Sequence, residues 1–157
     1  MLAVLIIVVT FILTEISAWI NHKYVMHGFM WYFHSDHHKK DHDGPFERND
    51  LFLLIYAVPS WLLIMFGMMN DYAWYTWAGF GIALYGLAYF FVHEVIIHQR
   101  FKILTKSDNL YIIALRRAHK MHHKHLGKHD GESFGMLFIH PKYWKEAKKL
   151  KSGQTKN

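Results

Sequence analysis

Ten histidines in this 157-residue chain fall into two spacings, each used twice. His22 and His27 form His-x4-His, and His34, His37 and His38 form His-x2-His-His. His93 and His98 repeat the first pattern, and His119, His122 and His123 repeat the second. Neutral imidazole is a ligand suited to iron, zinc, copper and nickel. Ten are too many for one ion with roughly four to six positions, and fit two metals with about five nitrogens each. That arrangement leaves positions for water or dioxygen. The chain has no cysteine, which excludes disulfides, Cys-ligated zinc, iron–sulfur clusters and a thiolate-ligated haem.

On a helix, positions i, i+3 and i+4 lie on one face, so each His-x2-His-His can converge. The i, i+5 pairs do not share a face in a regular α-helix, being about 140° apart. They require a frayed helix end, a π-bulge, or a metal cluster wide enough to be approached from two sides. Three carboxylates are candidates for hydrogen bonds that orient the imidazoles. Glu15 lies seven residues before His22, nearly on the same helix face; the alternative for it is a helix-packing hydrogen bond. Asp36 and Glu94 lie inside the motifs, where the alternative is solvation. His42, His125, His129 and His140 fall outside the motifs and read as surface histidines.

The elements that must position these residues are apolar. The chain is 52% hydrophobic and 17% aromatic while carrying 18 Lys plus Arg, so apolar and basic residues are segregated along it. Three runs are long enough to cross a bilayer: about 2–20, 51–69 and 73–92. The first is read as a retained span, because it lacks a basic start, contains Glu15 and runs into His22 without a cleavage site. Asn70, Asp71 and Tyr72 make a tight hairpin connection, Tyr72, Trp74, Tyr75 and Trp77 fit an interfacial belt, and Gly79 with Ala83 is a small-xxx-small pair. Leu110–Leu115 and Phe134–Ile139 are too short to span and suggest amphipathic or re-entrant helices. Residues 142–157 suggest a Lys-rich surface helix with a frayed tail.

Lys23, Lys39, Lys40 and Arg48 lie between the first two spans, and every other Lys and Arg follows the third. With three crossings all of them fall on one side, which the positive-inside rule makes cytoplasmic. Both pairs of histidine motifs begin at that same end of a span. The expectation is an all-α integral-membrane helical bundle, a single domain over 1–157, with a cytoplasmic histidine-rich cap at 21–50 and 93–140. The C-terminus is expected to be cytoplasmic, in the cytoplasmic membrane of a bacterium.

The motifs resemble those of the membrane di-iron oxygenases of the fatty acid hydroxylase superfamily, and more closely the bacterial beta-carotene 3-hydroxylases. The resemblance rests on six stretches: His22-Lys-Tyr-Val-Met-His27-Gly, His34-Ser-Asp-His37-His38, Gly44-Pro-Phe-Glu-Arg-Asn-Asp50, His93-Glu-Val-Ile-Ile-His98-Gln-Arg100, Ala118-His-Lys-Met-His-His123 and Ser133-Phe-Gly135. It covers roughly residues 15–140. The family commonly has Asp where this chain has Glu94, and is usually drawn with four transmembrane helices, of which three are legible here. The resemblance implies two non-haem irons, dioxygen as co-substrate, and hydroxylation of beta-carotene at carbon 3 by way of beta-cryptoxanthin to zeaxanthin. The residues themselves support a lipophilic substrate taken from membrane lipid.

Hydroxylation by dioxygen needs two electrons from outside. No Gly-x-Gly-x-x-Gly is present to bind flavin or nicotinamide, so a ferredoxin or separate reductase is implied. Lys142, Lys145, Lys148, Lys149 and Lys151 offer an acidic donor a positive surface, or equally meet anionic headgroups. No nucleic-acid partner is expected. Two other readings stand beside this one: a fatty acid or sterol hydroxylase or desaturase of the same superfamily, and a membrane metal transporter or metal store.

Overall fold

In hydrocarbon a single segment satisfies its backbone only by closing its own hydrogen-bond ladder, so the apolar runs must be helices. A computed structural model of the chain describes residues 1–39, 44 and 46–154. Lys40, His42, Pro45 and the tail residues 155–157 lie outside the described residues, and with them the surface reading of His42. The helices are α1 (Leu2–Ile20), α2 (Trp31–His38), α3 (Leu51–Met69), α4 (Trp74–Phe90), α5 (Leu110–Lys124) and α6 (Pro141–Gln154). α1 and α4 each continue into a π-helix, Asn21–Phe29 and Phe91–Ile97, and a 3-10 turn at Arg48–Asp50 leads into α3. No strand occurs among the described residues. The chain divides into two compact units, Met1–Ala88 and Tyr89–Asn157.

Three helices among the described residues are long and apolar enough to cross a membrane: Leu2–Phe29, Arg48–Met69 and Trp74–Ile97. Their apolar side chains face outward. Leu5, Val8, Ile12 and Leu13 of α1 are all exposed, as are Leu53, Leu54 and Ile55 of α3. Each such side chain gains about 1.5–3 kcal/mol on leaving water, so these rows fit lipid and not an aqueous face.

Small residues set the packing of the first unit. A Cβ on Gly79 would lie 2.9 Å from the Ser60 carbonyl oxygen and 2.7 Å from Ile64 Cγ1, so Gly79 lets α4 approach α3 closely. Ser60 Oγ donates to the Gly79 carbonyl at 2.8 Å across that contact. Gly81 plays the same part against α1, where a Cβ would lie 2.8 Å from the Ile7 carbonyl oxygen. The hairpin turns through Asp71 (φ 50°) and Tyr72 (φ 56°), with the Ala73 N–H donating to the Asn70 carbonyl at 3.0 Å.

In the second unit, the Asn109 side chain caps α5 by accepting from the N–H of Tyr111 at 2.9 Å. α5 packs on α6 through buried Ala114, Ala118, Tyr143 and Ala147. Leu110–Leu115 is the first half of the amphipathic α5, as the sequence suggested. Phe134–Ile139 is a correction: it contains no helix. Ser133 at φ 63° and Pro141 at the start of α6 bracket a segment too short to close a ladder. Its Met136, Leu137 and Ile139 join Val92, Ile96 and Leu115 in a core instead.

Candidate metal centre

The i, i+5 spacing is solved by the π-helices. An i→i+5 hydrogen bond winds the backbone more loosely, so residues five apart are brought into register. In the second π-helix the His98 N–H donates to the His93 carbonyl at 2.9 Å, joining the two histidines of the motif by that bond. The first π-helix holds His22 and His27 and ends with the Met30 N–H donating to the Val25 carbonyl at 3.0 Å. Gly28, at φ −104° and ψ −120°, breaks the helical path and lets α2 set off in a new direction. Of the three alternatives left by the spacing, the π-helical one is what the chain adopts.

In the first unit, the ring nitrogens of His22, His27, His34 and His38 available to an ion all lie within 4.8 Å of one another. His34 Nε2 is 3.1 Å from His22 Nε2 and 3.2 Å from His38 Nε2. The other nitrogen of His34, Nδ1, donates to Asn49 Oδ1 at 2.7 Å. That amide oxygen accepts only, so the proton sits on Nδ1 and the lone pair on Nε2. One lone pair serves one linear N–H donor, yet two imidazoles point at it. A cation at the point of convergence satisfies all of them together, which is the behaviour of a metal site. His34 is 1% exposed, so bulk solvent does not reach the point where these nitrogens converge.

The second unit repeats the arrangement. The nitrogens of His93, His98 and His119 lie within the same 4.8 Å limit. His98 Nε2 is 3.2 Å from His93 Nε2 and 3.0 Å from His119 Nε2, and can hydrogen-bond only one of them. His93 Nδ1 donates to Glu94 Oε1 at 2.6 Å, and Arg100 Nε pairs with the other carboxylate oxygen at 2.8 Å. The His123 ring centre is 4.4 Å from that of His119 and 5.2 Å from that of His98. Desolvation first, then the neighbouring His93, His123 and His98, hold His119 well below the ordinary histidine range. Desolvation and His93 push His98 down to about 3. Both are neutral near pH 7, the form that ligates.

His37 and His122 are oriented in the same way as His34 and His93. His37 Nδ1 donates to Glu47 Oε2 at 2.9 Å, and His122 Nδ1 donates to the Glu132 carbonyl at 2.9 Å. Four of the ten histidines thus have Nδ1 fixed by an acceptor, which makes Nε2 the nitrogen that carries the lone pair.

The three acidic candidates separate. Glu94 accepts from an imidazole, as one reading had it. Asp36 is 1% exposed, which rules out solvation, and accepts from Arg48 through its backbone N–H at 2.5 Å and its Nε at 3.3 Å. It thereby fixes the turn that carries Glu47 and Asn49. Glu15, 2% exposed, accepts from the Tyr85 hydroxyl at 2.7 Å, a hydrogen bond between α1 and α4. Asn49, Glu47, Arg100 and Glu132 carry no spacing signal of their own; only their place in the 44–50 stretch and beside the motifs marked the first two and Arg100. His129 and His140 are exposed, and His140 Nδ1 accepts from the Lys142 N–H at 3.3 Å.

The sequence profile of the fatty acid hydroxylase family matches residues 7–143. The chain is 41% identical to a beta-carotene hydroxylase of Pantoea ananas, over 87% of this chain and 77% of that protein. It is 34% identical to the beta-carotene hydroxylase of Paracoccus sp. (strain PC1), over 87% and 84%. A chloroplastic beta-carotene 3-hydroxylase of Gentiana lutea is 37% identical over 80% of this chain and 39% of its own length. No solved structure matches the chain.

Proposed function

We propose, from the premise that the chain belongs to the fatty acid hydroxylase family, that it is a carotenoid hydroxylase inserting one oxygen atom from dioxygen at carbon 3 of beta-ionone rings. The observation that carries the reading is the pair of convergent imidazole groups whose Nδ1 protons are fixed by Asn49 and Glu94. The relatives named for beta-carotene favour carotenoids over fatty acids or sterols as substrate. The family match over residues 7–143 reaches into both units, which supports one functional domain.

In this reading His22, His27, His34, His37, His38, His93, His98, His119, His122 and His123 hold two non-haem irons. When bound, the irons supply the dioxygen activation that cleavage of an unactivated C–H bond demands. The chain's own residues prepare the site. Asn49, Glu47, Glu94 and the Glu132 carbonyl hold Nδ1 protons, so the rings need no reorganisation to present Nε2. Asp36, through Arg48, holds the turn from which Glu47 and Asn49 reach inward.

The balance requires a donor: the C–H bond and dioxygen, with two electrons and two protons, give an alcohol and water. No cysteine is present to hold an iron–sulfur cluster, so the electrons are assigned to a separate ferredoxin or reductase. The exposed lysines of α6, Lys142, Lys145, Lys148 and Lys149, suit an acidic donor. The one-sided distribution of Lys and Arg supports a cytoplasmic histidine face and C-terminus. Expression in a beta-carotene-producing bacterium tests the function. Zeaxanthin with a beta-cryptoxanthin intermediate is expected, and the His119→Ala variant at matched protein level is expected to leave beta-carotene unconverted. Unchanged beta-carotene with the unaltered chain would overturn the substrate assignment.

A further inference from the structure

The second unit holds a cavity of about 510 Å³ whose lining contains no histidine. Four cations border it: Lys106, Arg116, Arg117 and Lys120. Asp108 is the one carboxylate in the lining. Glu146 pairs with Arg117 at 2.5 Å, but no carboxylate is described against Arg116, whose guanidinium donates to backbone carbonyls of Ile96 at 2.8 Å, Thr105 at 3.1 Å and Leu104. Those contacts engage three of its five N–H groups, and among the described residues its partners are carbonyl dipoles rather than a carboxylate. Ser107 and Thr105 add hydroxyls, and Ile113 and Leu150 add an apolar wall. A cationic, hydroxyl-bearing cavity with an apolar side is suited to a phosphate ester attached to something greasy.

Its depth points the same way. Ile96, to which Arg116 is tied, is the penultimate residue of the Trp74–Ile97 span. The Arg116 contact thus ties the cavity to the end of that helix, and a helix that crosses a bilayer to this end brings the cavity to the level of lipid phosphates. The segment between Ile96 and α5 has the composition of an interfacial strap. Phe101 and Ile103 are large, apolar and exposed, and they alternate with Lys102. Apolar side chains directed to the acyl region beside lysines directed to the headgroups is how a segment lies in an interface.

We propose that this cavity binds the phosphodiester headgroup of an anionic phospholipid. Lys106 and Lys120 supply the free charges, Arg116 and Arg117 the planar donors, and Phe101 with Ile103 the acyl contact. The lipid then joins the Thr105–Asn109 segment to α5, the helix that carries His119, His122 and His123.

Native mass spectrometry of the purified full chain, offered equimolar dioleoyl phosphatidylglycerol and dioleoyl phosphatidylcholine, provides the test. The anionic lipid should be retained in preference. The Lys106→Gln/Lys120→Gln pair should weaken that retention about 30-fold, at roughly fivefold per lysine. A Lys145→Gln/Lys148→Gln pair, with the same change in net charge but outside the cavity lining, should weaken it by less than about fivefold. Equal retention of the two lipids, or equal losses in the two double variants, overturns the site. Full displacement of the lipid by inorganic phosphate at millimolar concentration would mark a soluble phosphate site and overturn the lipid assignment.

Discussion

Replacing Asn49 with leucine removes one hydrogen bond acceptor and leaves the surrounding turn in place. The turn is held independently, by the Glu47 N–H donating to Asp50 Oδ2 at 2.9 Å and by Arg48 on Asp36. What is lost is the partner of His34 Nδ1, 2.7 Å away, on a ring that is 1% exposed. The ring then has two options. It can keep its tautomer and bury an unsatisfied N–H, at about 1–3 kcal/mol. Alternatively the proton moves to Nε2, the atom that faces His22 and His38, and ligation is lost while it stays there. The iron-free ring escapes that cost by the second option, so binding iron must restore the first and is weakened by up to about 5- to 150-fold, since each 1.4 kcal/mol is a factor of ten. Asn49→Asp keeps an acceptor at the same reach and should bind iron far more tightly than Asn49→Leu. Chelator competition on purified, iron(II)-loaded protein measures the affinity, with hydroxylation of beta-carotene followed in parallel. Wild-type affinity in Asn49→Leu, or the same loss in Asn49→Asp, would refute the argument that a fixed Nδ1 proton prepares His34.

Two further expectations concern the membrane helices. Gly81→Ala places a methyl 2.8 Å from the Ile7 carbonyl oxygen and should cost about 1–3 kcal/mol in thermal unfolding, whereas Gly86→Ala, with nothing within 4 Å of the new methyl, should not destabilise. Equal melting temperatures for the two variants would contradict the close approach of α1 and α4. Tyr85→Phe removes the hydroxyl that donates to Glu15 and should destabilise by about 1–3 kcal/mol while leaving iron content per chain unchanged. Loss of iron without loss of stability would instead place Glu15 among the groups that support the histidines.

Much of this was legible in the sequence because length and apolarity leave a membrane segment few choices. Leu2–Ile20 and Leu51–Met69 are helices over the residues the apolar runs delimit, and Gly79 packs as a small-residue contact should. The histidine motifs were legible as a set. Their geometry was not, because a His-x4-His spacing fits a frayed end or a wide cluster as well as a π-helix, and only the backbone decides. The acceptors on Nδ1 were harder still. Asn49 meets His34 across 15 residues and the Glu132 carbonyl meets His122 across 10, and no periodicity connects such pairs. Phe134–Ile139 misled because a short apolar run has the same composition whether it forms a helix or, as here, an irregular segment filling a core.

Ten imidazoles are assigned to two irons. Iron per chain in the purified protein, measured by elemental analysis alongside zinc, copper and nickel after reconstitution under reducing conditions, tests it most directly. Two irons per chain are expected, with His34→Ala and His119→Ala each falling well below two. One iron or none in the unaltered protein, preferential retention of zinc, or full occupancy in both variants would contradict it.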